Sequence, residues 1–188
     1  RGFLTATPWG DSFDVLMSNT PRFVLNRYNA AVIIGPTKSE GQLLHTVEDF
    51  AARGGSIATT AAQLTPESAA LFGVRLSGKT VKDKFARLAS GLTFTEPEFT
   101  RHVVEPPEGA EILAVNHEGE PLAFRRRTEK GADMLVFAAD FGLSDKVAER
   151  PKYAVENVPI VPSHLMLQHV KSILMPWMAR WNLVEVDG

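Results

Sequence analysis

The sequence predicts an α/β fold: a mostly parallel sheet with helices between its strands and an antiparallel extension. Three observations point to it. Residues 29–35 and 56–61 are apolar at successive positions rather than alternate ones, as in strands covered on both faces. The stretch between them has helical periodicity, and strands joined through a helix must run parallel. From residue 99 onward the period changes to short strand-like runs separated by polar, glycine-containing turns.

Taken in order, residues 13–18 read as a first strand closed by Asn19. Thr20 and Pro21 then supply an N-cap and a proline at the first helical position, so a short helix to about Tyr28 is expected. The strand over 29–35 ends at Pro36. Ser39 to Gln42 fits a capping box, and Leu43, Leu44, Val47, Phe50 and Ala51 fall on one helical face, with Gly54 and Gly55 as the stop. The strand over 56–61 follows, then a helix from Pro66 to about Phe72 closing on Gly73.

Between Arg75 and Arg101 the pattern weakens to a modest amphipathic spacing at Val81, Phe85 and Leu88. Strands are then expected over 100–104, 110–116, 121–128 and 133–139, with hairpin connections at 117–120 and 129–132. Residues 145–162 read as loop. Ser163 is expected to cap a last helix with Met166, Val170, Ile173, Leu174, Trp177 and Trp181 on its apolar face, kinked at Pro176, and a further strand starts at Leu183.

The 188 residues suit one domain with a sizeable core. Hydrophobic residues make up 44% and charged residues 22%, which argues against disorder. A net charge of −2 gives no electrostatic reason to expect nucleic acid as a partner, and no apolar run approaches the roughly 20 residues that span a bilayer. A soluble protein is expected, with the cytoplasm the favoured compartment. The absence of cysteine excludes a thiol nucleophile, a thiolate metal site and a disulfide. The chain starts without Met, and a domain excised from a longer polypeptide is expected.

Ligands of an open parallel sheet sit beyond the carboxyl ends of the strands. That places Asn19, Gly35, Thr60, Gln63 and Asp140 around the expected crevice. A nucleophile there would need a base within hydrogen-bond reach, and the turn offers only Thr60, which is expected to pack or bond backbone. The five histidines form no HxxxH pair and read as solvated or helix-capping residues, so no metal and no cofactor is expected. Glu96, Glu98, Asp133 and Asp140 are available acids, and only Asp140 is privileged, by standing at a strand end. Arg125, Arg126 and Arg127 read as a solvated strand face. Trp177 and Trp181, four apart, could form a sugar platform if exposed, but the apolar residues in line with them favour a core or an interface.

Val15 to Met17, Asn29 to Gly35, Val47 to Gly55 and Leu71 to Val74, with Glu120 to Phe124 and Lys130 to Phe137, resemble the class I glutamine amidotransferase-like domain found inside glycoside hydrolases. The pattern is most similar to the middle, trimerisation domain of family 42 β-galactosidases and covers roughly residues 13–186. The resemblance implies a flavodoxin-like three-layer sandwich that follows a catalytic barrel and precedes a β-sandwich. Its partners would be other domains of the parent chain, further copies of itself and carbohydrate. In true amidotransferases a Cys stands on the turn after the strand matching Ser56 to Ala61, and a His follows a late strand. Here those places hold Thr60 to Ala62, and Asp140 with Phe141, so glutaminase activity is not implied. The resemblance points to a non-catalytic domain serving oligomerisation or shaping a neighbouring active site. The alternative is a small hydrolase or carbohydrate-binding module using the crevice of Asn19, Thr60, Gln63 and Asp140.

Overall fold

The computed structural model describes residue 16 and residues 19–33, 37–140 and 166–181. The strands expected over 13–18 and after Leu183, the loop over 145–162 and the cap at Ser163 lie outside these residues, almost entirely for the first and wholly for the rest.

Helix α1 (Arg22–Leu25) is one turn with Pro21 as its N-cap, a shorter helix than the sequence suggested. Strand β1 (Ala30–Val32) leads to α2 (Gly41–Ala52), which buries Leu44, Val47, Phe50 and Ala51 as its periodicity requires. The expected capping box is not what starts it. Glu40 is the N-cap and offers no side-chain bond, while Ser39 is buried and held by its backbone, its N–H donating to Gln63 O at 2.8 Å.

At the other end of α2 the two glycines have different tasks. Gly54 adopts φ +94°, the left-handed turn that ends the helix, with its N–H donating to Ala51 O. Gly55 lies against the Phe50 ring, so closely that a Cβ there would come within 2.4 Å of it. The pair both stops the helix and lets the chain pass tight beneath it into β2 (Ser56–Thr60).

Strand β2 is buried at every residue. It is followed by a single 3-10 turn (Ala61–Gln63) and by α3 (Pro66–Phe72), whose N-cap Thr65 accepts from Ser68 N and whose C-cap Gly73 is left-handed at φ +69°. Strands β3 (Arg75–Leu88) and β4 (Thr93–Glu105) form a long antiparallel hairpin, then come β5 (Glu111–Val115), β6 (Pro121–Arg127), β7 (Asp133–Phe137) and α4 (Gln168–Ala179).

The seven strands make one mixed sheet in the order β1-β2-β7-β6-β5-β3-β4. β1, β2 and β7 run parallel, and the remaining pairings are antiparallel. The α/β fold with a parallel part and an antiparallel extension is as expected, and the extension carries more of the sheet than the sequence pattern indicated. The reason is the β3–β4 hairpin. Most of its residues are exposed on both faces and bulges interrupt its register, so no clean alternation marks it in the sequence. Pro97 stands in β4, an edge strand, where its missing N–H costs no ladder bond.

Two cores flank the sheet and make three layers. On one face α2 and α3 pack Val47, Phe50, Ala69 and Phe72 against Ile57, Met134 and Val136. On the other, α4 packs Val170, Leu174 and Trp177 against Ala58, Leu135 and Phe137. Successive β7 residues therefore alternate between cores, which is why the run is apolar throughout. Helix α4 begins at Gln168, later than expected, and continues through Pro176.

Candidate functional site

The carboxyl ends of β2 and β7 lie side by side, with Thr60 paired to Phe137. The chain leaves β2 through the Ala61–Gln63 turn, and Gln63 folds back on the strand it has just left. Its Oε1 accepts from Thr59 Oγ1 at 3.1 Å, Thr60 N–H at 3.1 Å and Thr60 Oγ1 at 3.3 Å. All three residues are buried. Gln63 O also accepts from Ser39 N–H, and Lys38 Nζ donates to Ala62 O, so the turn is tied to the start of α2.

Strand β4 enters the same region. His102 N–H donates to Ala138 O at 2.8 Å, Arg101 bridges to Ala139, and Val104 shares a core with Ala61 and Leu64. Part of the space beyond the strand ends is therefore filled by the antiparallel hairpin. Of the expected crevice residues, Thr60 and Gln63 are brought together and turned inward, while Asn19 and Asp140 are exposed. Gly35 lies outside the described residues. No described hydroxyl on this turn has a histidine or carboxylate as its partner, so the nucleophile and base of covalent hydrolysis are not assembled on it.

The best-organised polar pair is elsewhere. Glu96 on β4 accepts from Gln168 N–H at 3.0 Å, His169 N–H at 2.9 Å and His169 Nδ1 at 2.9 Å, with both side chains wholly buried. It thereby caps α4 from another element, satisfying two of the helix's orphan donors and matching its dipole. Burial acts to raise the Glu96 pKa, but the hydrogen bonds from His169 and Gln168 and the charge of His169 outweigh it and hold the carboxyl below its ordinary 4.5. A carboxylate on one imidazole nitrogen with the other free is how a general base is oriented. Here, however, Nε2 is buried without a partner, and the ring packs against Phe99 at 5.4 Å.

His169 was expected to be solvated or to cap the helix itself, and its burial corrects that reading. The signal was present: position 169 stands four before Ile173, on the same helical stripe as Trp177 and Trp181. Among the acids, Glu96 and Asp133 are the buried ones, whereas Asp140, the one singled out by its strand end, is exposed. Glu98 pairs with Lys84 on the surface.

The three arginines are more committed than a solvated face. Arg126 Nη2 donates to Leu71 O, Arg125 pairs with Glu111 at 2.5 Å, and Arg125 and Arg127 both reach Asp133. Trp177 lies in the core beneath α4, and Trp181 is half-buried beside it, their rings edge to face at 6.3 Å. Arg101, Asp83, Asn116 and Glu120 form another network, which ties the β3–β4 hairpin to the β5–β6 turn. Among the described residues no group of three or more His, Asp or Glu side chains is placed to hold a metal, and no helix is long and apolar enough to cross a membrane.

No family model matches the sequence, and no curated protein matches it. Among solved structures, the chain is similar to a cytoplasmic protein from Salmonella typhimurium LT2, with a TM-score of 0.57 and 16% identity over 87% of this chain and 76% of that one. At this identity the likeness is one of fold. It is also similar to an exo-β-1,4-mannosidase from Opitutaceae bacterium strain TAV5, with a TM-score of 0.46 and 19% identity over 62% of this chain and 21% of that one. A ThuA-like protein from Bacteroides uniformis gives a TM-score of 0.48 and 13% identity over 65% of each chain. The chain thus spans about a fifth of the mannosidase's length.

Proposed function

We propose that the chain is a non-catalytic amidotransferase-like domain of a glycoside-hydrolase-like protein, serving assembly or shaping a neighbouring active site. The observation that carries the reading is the turn after β2. In true amidotransferases, to which that domain is likened, the turn presents a nucleophile. Here Gln63 Oε1 takes the hydrogen bonds of both Thr59 and Thr60, and the three side chains are buried. A hydroxyl spent on an amide oxygen has no base to activate it, and a buried one has no route to substrate. The α/β fold and the resemblance of residues 29–35, 47–55, 71–74, 120–124 and 130–137 support the same reading.

The test is direct. Purified protein should hydrolyse neither glutamine nor aryl glycosides, and it should self-associate in sedimentation velocity or associate with the barrel domain of its parent protein. Turnover that disappears in Asp140→Asn would overturn the reading in favour of a small hydrolase, and a strictly monomeric chain that ignores the barrel would overturn the assembly role.

A further inference from the structure

We draw no further inference here: the strongest candidate, the amino end of α2, where Glu40 makes no side-chain cap and Ser39 Oγ is buried without a partner, carries none, because nothing among the described residues aims that hydroxyl at the free helix N–H groups or opens a path from it to solvent.

Discussion

Glu96 Oε1 lies 2.9 Å from His169 Nδ1, a hydrogen bond between residues 73 apart in sequence with no solvent access on either side. This contact fastens the tip half of the β3–β4 hairpin to the start of α4, and with it one of the two cores. Glu96→Ala removes the carboxylate and leaves the buried His169 and two helix N–H groups unmatched. The expected loss is about 3–5 kcal/mol, read as a lower urea midpoint at unchanged slope. A loss under about 1 kcal/mol would mean that the pair is not closed in solution.

The same pair sets an acid dependence. The folded Glu96 pKa is depressed below its ordinary 4.5 because hydrogen bonds to the charged form outweigh burial. A depressed carboxyl contributes stability that is fully present above the unfolded value and is lost as pH falls through the folded one. The stability gap between wild type and Glu96→Gln should therefore stay level above 4.5 and narrow below it. Urea titrations at stepped pH measure this, and a gap that widens on acidification would contradict the assignment.

Gly55→Ala should destabilise the fold by about 1–3 kcal/mol, because the new Cβ would come within 2.4 Å of the buried Phe50 ring and the ring has to shift. Pairing it with Phe50→Leu checks the cause. The two changes should cost less together than the sum of their separate effects, since the smaller side chain makes room for the methyl group. Additive losses in a thermal denaturation cycle would point to the backbone instead.

Gln63→Ala should cost about 1–3 kcal/mol, because Thr59 Oγ1, Thr60 Oγ1 and Thr60 N–H lose a shared acceptor inside the core. Amide exchange gives the sharper readout: protection at Thr60 should fall by a factor of roughly 10 or more in the variant, in line with a local loss of about 1.4 kcal/mol. Unchanged exchange there would mean that another acceptor holds the turn.

Much of the parallel half of the fold was legible because its signals are local. Ile57 and Ala58 belong to opposite cores, as do Met134 and Leu135, and a strand covered on both faces has to be apolar at each step. The faces of α2 and α4 were legible for the same reason, and so was the glycine stop. The antiparallel hairpin was not, since Lys79, Lys82 and Lys84 on a largely exposed strand carry no burial pattern and its bulges break the period. Helix starts were misplaced where tertiary contacts replaced local caps. Ser39 is held by Gln63 rather than capping α2, and α4 takes its cap from Glu96.

For the candidate sites the division is sharper. Thr60, Gln63, Asn19 and Asp140 were found by the rule that ligands gather at strand ends, but the sequence could not say that Gln63 would close over Thr60 while Asp140 stayed exposed. Nor does any spacing reveal that Arg127 and Arg180 meet on Asp133. By itself the sequence determined the α/β class, the parallel strands and helix faces, and the lack of any thiol chemistry, because periodicity, backbone preference and residue inventory act within a few positions of the chain. Only the tertiary structure decided which charges are buried and which donors go unmet. Those depend on the register of a bulged hairpin and on where α4 docks, and a one-residue shift in either would place different side chains in the same space.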